Sequence, residues 1–508
     1  MCSYRMNWAY LLCEKNESPV SSKNDDSLNC KQDKRSIFKK DFDTICNSAC
    51  IRRLQDKAQV FPLERGDFSR TRLTHSIEVM SVAQSLGTYA IKTIKSKEAT
   101  LNKKATRLIE YIPTILSSAS LLHDVGNPPF GHITEDIISD WFKENLGRLK
   151  MDKNKLYCDD LPHHNGFLLS ERLSENHKND LLRFDGNAQV LRLATHLQNS
   201  LGKKGMNLSY PTLATIIKYP SNYIEDQSNH EIKEKLKSKK RGYFETESEI
   251  YQEIQKTLHL NNNRHPLSFL LEASDDISYL VSDIEDACNK GLITIADIES
   301  RLQKLSNGDK LVSDFFEKVG IIKKLAKRDK KEEQVIIQQI RVQLKGILLI
   351  EAANAFDKKY DEIMTGKYTK ELLEESEAFP LVRMLKELLN EKVYYCPEII
   401  RTKLEACAIV KKLLESIILA TFNQNGKCDD SASLLYLALS PNYRDVCVKS
   451  INKEKEKIKS SKSLTNEEKM KRNDSIKYYS YLVLARDYLV GMTDTFAIDF
   501  YKNILALL

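Results

Sequence analysis

The sequence predicts a large, mainly α-helical protein. Apolar residues recur every three or four positions through several long segments, which is the period of an amphipathic helix. No long segment alternates polar and apolar residues in the way that a large sheet requires. The 508 residues include only 17 Gly and 12 Pro, so turn-forming residues are few for a chain of this length. The pattern leaves room for one short β-hairpin around residues 200–210.

The composition is that of a globular protein. Hydrophobic residues make up 41% of the chain and charged residues 29%, which supports a sizeable core and excludes disorder of the whole chain. Because we find no run of about 18 apolar residues and no signal-peptide pattern, we expect a soluble, cytoplasmic protein that does not enter a membrane. The 11 Cys residues form no CxxC pair, which favours reduced thiols over a structural zinc or disulfide. The net charge of +7 permits an anionic ligand without requiring one.

The chain is predicted to contain three regions. Residues 1–42 are polar and indicate an N-terminal arm, residues 43–300 form a core, and residues 301–508 form a helical C-terminal region. Three Lys- and Glu-rich stretches stand out, at residues 231–241, 324–334 and 452–473. We interpret these stretches as solvated helix faces or loops rather than nucleic-acid patches. The apolar run at 478–485 then predicts a packed helix near the C-terminus.

The first two predicted helices carry histidines. After His75, apolar residues follow at positions 79, 82, 83, 86 and 90, which defines one buried stripe. The same spacing from position 112 to position 122 predicts a helix that leads to His123. Pro128 and Pro129 are expected to end that helix, since proline cannot continue the hydrogen-bond ladder.

Two more helices follow from their start signals. Gly131 precedes a helix that we expect from about His132 to Asn145. Pro266 suits the first turn of a long helix that continues to about Ala287.

Four ionisable residues lie on the apolar faces of these helices. His75 precedes Val79 by one turn, His123 follows Ala119 by one turn with Asp124 beside it, and Asp275 follows Leu271 by one turn. A single inward histidine is usually a hydrogen-bonded core residue, because burying an unsatisfied polar group costs several kcal/mol. Two imidazoles and two carboxylates together, however, suit an octahedral divalent cation with positions left for water.

The same residues carry a resemblance to a known family. The order His75, His123-Asp124, Asp275 resembles the H…HD…D signature of the HD-domain metal phosphohydrolases, and the match is closer to the bacterial deoxyguanosine triphosphate triphosphohydrolases (dGTPases). The similar segments are RTRLTHSIEV at 70–79, HDVGNPPFGH at 123–132, GNAQ at 186–189, KYP at 218–220 and EASDDISY at 272–279. The similarity covers about 50–290 and resumes near 486–502. The HDxGNPPFGH string is specific, whereas a bare HD dipeptide is not.

The resemblance implies a metal site and a catalytic pair. His75, His123, Asp124 and Asp275 would bind a divalent metal, Mg²⁺ or Mn²⁺. His132 and Glu135 would be catalytic, and their spacing of three on one helix lets the carboxylate orient the imidazole ring. In isolation such a pair would be an ordinary helix-surface ion pair; beside a metal site it suits general acid–base chemistry.

The resemblance also implies a nucleotide pocket. Asp275, Tyr279 and Asp283 follow one another by four residues, so each step rises about 6 Å along one helix stripe. Tyr279 would lie against the deoxyribose and phosphates, and Asp283 near the 3′-hydroxyl. Substrate contacts are further expected from Gln59, Val60, Arg72, Asn187, Lys218 and Tyr219, with Arg72 and Lys218 facing phosphate oxygens. His163 and His164 could approach the phosphates or merely cap a loop.

The implied activity is metal-dependent hydrolysis of dGTP, with other dNTPs as further substrates, to a deoxynucleoside and tripolyphosphate. Two alternatives remain: an HD-domain phosphohydrolase of nucleoside monophosphates or cyclic nucleotides, and a non-catalytic scaffold that senses nucleotides or DNA. The family further implies a homo-hexamer and, in some members, single-stranded DNA as an effector. Guanine-reading contacts are expected from C-terminal segments or a neighbouring subunit, with Arg444 and Arg486 as candidates by charge only.

Overall fold

The computed structural model describes residues 4–16, 33–61, 69–99, 101–152, 155–158, 166–198, 205–220, 240–424 and 430–505. It confirms the predicted mainly α-helical fold. In the first 200 residues the α-helices are Trp8–Leu11, Ile37–Cys46, Ala49–Arg53, Arg72–Lys97, Lys103–Leu108, Ile112–Leu122, His132–Asn145, Glu175–Leu182 and Gly186–Arg192. They continue with Tyr210–Ile216, Ser248–Thr257, Pro266–Asn289, Ile295–Ser306, Lys310–Arg328, Glu333–Met364, Phe379–Leu389, Pro397–Asn423, Ser431–Ala438, Pro441–Ser460, Asn466–Val490 and Asp494–Phe500.

Short turns of 3₁₀- or π-helix connect several of these elements. The 3₁₀ turns are Leu54–Asp56, Ile109–Tyr111, Leu169–Arg172, Glu245–Glu247 and Leu373–Glu375, and the π turns are Leu193–Leu197, Asn390–Tyr394 and Tyr501–Leu505.

The small sheet lies away from its predicted position. Its strands are Leu149–Asp152, Lys155–Cys158 and Phe167–Leu168, with the first strand in the middle and both neighbours antiparallel to it. The short hairpin that the sequence allowed around 200–210 is not seen among the described residues 205–210, where Ser209 makes an isolated bridge to Asn16. Two strands of four residues are too short to produce a recognisable alternation in the sequence.

The predicted helix starts are confirmed, and each has a local cause. Thr71 caps the Arg72–Lys97 helix in a reciprocal capping box with Thr74. The His132–Asn145 helix begins directly after Gly131, and Pro266 occupies the first turn of the Pro266–Asn289 helix. These starts place His75, His132 and Asp275 at defined heights on their helices.

The helix before His123 ends earlier than predicted. It stops at Leu122, and the backbone then turns, with the Val125 N–H donating to the Leu122 carbonyl and the Asn127 N–H donating to the Asp124 carbonyl. The end of the helix is therefore set by a turn that contains His123 and Asp124, before Pro128 is reached. His123 and Asp124 therefore belong to this turn and not to the Ile112–Leu122 helix.

The three helices that carry or directly precede the predicted metal ligands pack against one another. The Arg72–Lys97 helix contacts both the Ile112–Leu122 helix and the Pro266–Asn289 helix, and the latter also packs on the Glu333–Met364 helix. Buried apolar residues from Met6 to Phe500 form one contiguous cluster, which crosses both predicted region boundaries. The division at 42 and 300 stays a prediction.

Described parts of the predicted N-terminal arm are packed. Trp8 is buried and its indole N–H donates to the Tyr360 hydroxyl at 2.7 Å. Further along, Phe38 is buried in the Ile37–Cys46 helix, which continues past the predicted boundary at 42. The described part of the predicted arm is therefore packed against the helical core.

Two of the three Lys- and Glu-rich stretches, 324–334 and 452–473, lie largely on helices, whereas residues 231–239 fall outside the described ranges. Residues 452–473 belong to the Pro441–Ser460 and Asn466–Val490 helices and are mostly exposed, as predicted for solvated faces. Arg241, at the end of the 231–241 stretch, is instead buried and pairs with Asp180. Within the described ranges, every helix is too short or too polar to span a bilayer.

Candidate active site

Three side chains from three segments converge on one point. His75 Nε2 lies 3.0 Å from Asp275 Oδ1, and His123 Nε2 lies 3.4 Å from the same oxygen. One donor atom from each residue lies within 4.8 Å of the other two. The Arg72–Lys97 helix, the turn after Leu122 and the Pro266–Asn289 helix therefore bring together a group that could hold a metal ion.

The chemistry of this group suits a divalent cation. His123 Nδ1–H donates to the Ser120 carbonyl at 2.6 Å, which leaves Nε2 as the ring nitrogen that can bind a metal ion. That Nε2 is buried and makes no hydrogen bond to the described residues. A buried, unsatisfied imidazole nitrogen beside a carboxylate is costly unless a metal ion or a proton occupies it.

Asp124 lies at the edge of this group. Its Oδ1 is 3.6 Å from His123 Nε2 and accepts a hydrogen bond from Asn127 Nδ2, while its Oδ2 accepts from Arg72 Nη1 at 2.8 Å. Asp124 is not part of the tight group of three. Its assignment as a fourth metal ligand stays a prediction.

Charge interactions polarise the site strongly. Burial opposes the charged form of His123, but Asp124 and Asp275 outweigh it and raise the pKa of the imidazole to about 9. Burial likewise disfavours the charged Asp124, yet Arg72 and His123 lower its pKa to about 2. Asp275 is also held ionised, because His123 and His75 outweigh its burial and depress its pKa. The site thus keeps two carboxylates negative, as a cation site requires.

His132 and Glu135 meet as the spacing predicted. His132 Nδ1 lies 3.2 Å from Glu135 Oε1, and the His132 ring projects into the cavity described below while keeping 74% of its accessible surface. The Glu135 hydrogen bond raises the pKa of His132 against the opposing effect of desolvation. This arrangement leaves Nε2 as the nitrogen that can exchange a proton with a bound molecule.

A cavity of about 660 Å³ joins the metal-ligand group to His132. Its volume falls in the range of small-molecule sites. Predicted residues that line it are Gln59, Val60, Arg72, His75, His123, Asp124, His132, Asn187, Lys218, Asp275, Tyr279 and Asp283. Glu135 reaches the cavity only through His132. Tyr219 is not a lining residue, and its ring lies 5.7 Å from Lys218 Nζ and 5.8 Å from Lys240 Nζ.

Several predicted substrate residues are already engaged in contacts. Lys218 Nζ lies 2.8 Å from Glu272 Oε1, and Asn187 Nδ2 donates to Asp185 Oδ1 at 2.9 Å. Arg72 is buried and shared with Asp124, although its Nε makes no hydrogen bond to the described residues. The predicted contacts of these three side chains with a nucleotide stay predictions.

Other lining residues were not identified from the sequence. They include Lys240, Asp276, Glu371, Lys386, Tyr394, Ile399, Thr402 and Lys403. Asp276, which is adjacent to Asp275 in the sequence, lies outside the metal-ligand group but still borders the cavity. Most of the others come from the C-terminal region, where no motif marks them and only tertiary packing brings them to the site.

The two arginines proposed as guanine contacts lie elsewhere within this chain. Arg486 is fully buried, donates to the Asp180 carbonyl at 3.2 Å and lies 4.0 Å from the Phe244 ring centroid. Arg444 lies 5.4 Å from the Tyr436 ring centroid. Neither lines the cavity. His163 and His164 fall outside the described residues.

Similarity to known proteins extends over nearly the whole chain. A scan against models of protein families gives no match. A deoxyguanosinetriphosphate triphosphohydrolase-like protein of Listeria monocytogenes is 36% identical over 508 residues, covering 98% of this chain and 99% of that protein. Deoxyguanosinetriphosphate triphosphohydrolases of Yersinia enterocolitica and Serratia proteamaculans are each 30% identical over 495 residues, 92% of this chain and 94% of theirs. With this identity over almost its full length, the chain belongs to the deoxyguanosinetriphosphate triphosphohydrolase family.

Proposed function

We propose that this protein is a metal-dependent hydrolase that converts dGTP, and other dNTPs, to a deoxynucleoside and tripolyphosphate. The observation that carries the proposal is the convergence of His75, His123 and Asp275 in one cavity with His132. A cavity of about 660 Å³ suits a nucleotide. Family membership supports dGTP as the substrate.

The metal would be held by His75, His123 and Asp275, with Asp124 as a further ligand. When bound there, a divalent cation would stabilise negative charge on the phosphate and lower the pKa of water. Carboxylate oxygens suit both Mg²⁺ and Mn²⁺, whereas imidazole nitrogens are ligands of transition metals, which favours Mn²⁺. Metal dependence is therefore a direct consequence of the proposal.

His132 would move the proton in the reaction. Water forms a bond to the α-phosphorus while the bond from that phosphorus to the 5′-oxygen breaks. The 5′-oxygen needs a proton as it leaves, and the raised pKa of His132 favours the imidazolium that can donate one from Nε2. The proton that the attacking water gives up then restores the imidazolium. Glu135 holds Nδ1 and keeps the ring oriented.

The cavity also contains groups suited to the rest of a deoxynucleotide. Lys218, Lys240 and Arg72 supply positive charge near the metal-ligand group for the phosphates. Tyr279 would pack against the deoxyribose, and Asp283 would accept a hydrogen bond from the 3′-hydroxyl. The roles of Tyr279 and Asp283 are those that the family resemblance implies.

Product analysis tests the proposal directly. The purified protein is incubated with dGTP and Mg²⁺ or Mn²⁺, and the anions are separated by chromatography. We expect tripolyphosphate and deoxyguanosine in equal amounts, and no turnover after metal is removed with EDTA. Release of orthophosphate or pyrophosphate alone would contradict cleavage at the α-phosphorus.

The alternative functions give different outcomes in related assays. A phosphohydrolase of monophosphates or cyclic nucleotides would turn over dGMP or cyclic nucleotides faster than dGTP. A non-catalytic scaffold would bind dGTP equally well with and without His132 and hydrolyse it in neither case. We expect His132→Ala to keep nucleotide binding and lose turnover.

The proposal extends to assembly and regulation. We infer a homo-hexamer and activation by single-stranded DNA from the family resemblance alone. Light scattering after size exclusion gives the mass of the assembly, to be compared with the 58.4 kDa of one chain. Turnover with and without a single-stranded oligonucleotide tests the effector.

A further inference from the structure

The turn that delivers His132 to the cavity has an unusual backbone. Phe130, a buried aromatic residue, has φ of +62°, and Gly131 has φ of +78° with ψ of −154°. Glycine adopts such angles readily, but a bulky residue in the left-handed region is a steric outlier. A backbone of this kind persists only where surrounding contacts hold it, and it tends to occur at functional sites.

One carboxylate from the far end of the chain holds this turn. Asp494 Oδ1 accepts a hydrogen bond from the Phe130 N–H at 2.8 Å, and its Oδ2 accepts from the Ala58 N–H at 3.0 Å. Asp494 is 3% exposed, so water offers little competition for either bond. Both oxygens of one buried side chain thus bind backbone, one of them at the strained residue itself.

A buried lysine joins the same segments from the other direction. Lys57 Nζ donates to the Asn127 carbonyl at 2.6 Å and to the Val490 carbonyl at 2.9 Å. Its positive charge also interacts favourably with Asp494, which offsets part of the cost of burying that carboxylate. These hydrogen bonds therefore connect three segments, residues 57–58, 127–130 and 490–494, at the turn that precedes His132.

We propose that Asp494 is a positioning residue for the reaction, holding the Phe130–Gly131 turn so that His132 starts its helix at the right place. The inference rests on the proposed function of His132. Asp494 lies 364 residues from Phe130 in the sequence and does not line the cavity. Its effect is on the direction of the His132 side chain, not on contact with substrate.

Kinetics of Asp494 variants give the first test. Asp494→Ala loses both hydrogen bonds, and Asp494→Asn keeps the size while placing an NH₂ group against one of the two N–H donors. We expect kcat on dGTP to fall about 100-fold in Asp494→Ala, with KM changed much less, because a small misplacement of a proton-transfer group costs that much. Asp499→Asn, an exposed position on the same helix, is the matched control and should behave as wild type.

Relief of the backbone strain gives the second test. Glycine at position 130 would adopt the left-handed angles without a holding contact. We expect the loss caused by Asp494→Ala to shrink about tenfold when both proteins carry Phe130→Gly, measured as a double-mutant cycle. A merely structural role for Asp494 would leave the loss unchanged in that background, which would overturn the inference.

Hydrogen exchange follows the turn without any substrate. Peptides covering 126–135 should exchange faster in Asp494→Asn and Asp494→Ala than in wild type, while peptides of the Lys310–Arg328 helix stay unchanged. Folded variants with wild-type kcat and wild-type exchange at 126–135 would overturn the inference and leave the proposed function intact. A wild-type protein that does not hydrolyse dGTP would instead contradict the proposed function.

Discussion

The Tyr394 hydroxyl donates a hydrogen bond to Asp283 Oδ2 at 2.7 Å, joining two residues that line the cavity and lie 111 positions apart in the sequence. Asp283 is buried, and this bond occupies one of its two oxygens. The other oxygen lies 3.4 Å from Ser282 Oγ, a weak contact that leaves it able to accept from a ligand. Tyr394 therefore orients the carboxylate that we assign to the 3′-hydroxyl of the substrate.

Tyr394→Phe tests this relationship by substrate comparison. Removing the donor should lower kcat/KM for dGTP about 10- to 100-fold, because a hydrogen bond to a charged group contributes about 1.5–3 kcal/mol. The same variant should change kcat/KM little for 2′,3′-dideoxy-GTP, which lacks the hydroxyl that Asp283 would accept from. An equal loss for both nucleotides would mean that Tyr394 acts on the cavity as a whole. Tyr395→Phe, at an exposed neighbouring position, is the control.

Glu135 controls the protonation of His132. Its hydrogen bond raises the pKa of the imidazole, so Glu135→Gln should lower that pKa towards and below the ordinary value. If His132 donates a proton, activity is lost as the pH rises through its pKa. The alkaline limb of the kcat profile should therefore move to lower pH in Glu135→Gln. Asp140→Asn, exposed on the same helix, should leave the profile unchanged; a shift in the opposite direction would contradict the assignment of His132 as an acid.

Gly186 allows the first turn of the Gly186–Arg192 helix to lie close to the side chains of Asn127 and Glu135. A Cβ at this position would lie 2.7 Å from Glu135 Oε1 and 2.6 Å from Asn127 Oδ1, closer than real contacts permit. Gly186→Ala should displace the Glu135 carboxylate and reduce kcat by about 10- to 100-fold. Gly147→Ala is the matched control, since nothing lies within 4 Å of its Cβ. Wild-type kcat in Gly186→Ala would show that Glu135 tolerates displacement.

Local signals account for the parts of the site that could be predicted. His75 and Asp275 lie on regular apolar stripes, and Gly131 and Pro266 mark helix starts, so their positions follow from periodicity and capping. Tyr394 and Lys386 reach the cavity only because the Phe379–Leu389 helix packs near the Pro266–Asn289 helix. Asp494 acts on a turn 364 residues away. Such long-range contacts have no periodicity of their own, and the four-residue strands are likewise too short to leave one.

Measurements of Mn²⁺ binding test whether Asp275 or its neighbour Asp276 is the metal ligand. Asp275→Asn should weaken Mn²⁺ binding by more than about 100-fold in calorimetry, since loss of a ligand exceeds the effect of losing its outer hydrogen bonds. Burial and the negative charge of Glu371 raise the pKa of Asp276 well above its usual range, which favours the neutral form. Asp276→Asn is nearly isosteric with that form. We expect Asp276→Asn to bind Mn²⁺ as wild type does. The reverse result would transfer the assignment to Asp276.

His265 makes the stability of the fold depend on pH. Its Nε2–H donates to the Leu11 carbonyl at 3.0 Å and its Nδ1 accepts from the Leu267 N–H at 3.2 Å, so the buried ring is neutral and both nitrogens are used. Burial lowers its pKa to about 4. Below the unfolded value of about 6.5, the unfolded chain binds a proton that the folded protein excludes. The contribution of His265 to the free energy of unfolding is therefore constant above pH 6.5 and falls by roughly 3 kcal/mol between pH 6.5 and pH 4.

His265→Gln removes the titration of His265, so the difference between variant and wild type reports on this residue and not on the other histidines. His177 and His196 are half-buried, and desolvation lowers the pKa of each. They titrate equally in wild type and variant. The variant should melt at a lower temperature than wild type at pH 7.5, because its amide cannot reproduce both ring contacts. Its melting temperature should then fall less than that of wild type as the pH is lowered to 5. Parallel curves for the two proteins across this range would show that His265 is protonated without cost in the folded state.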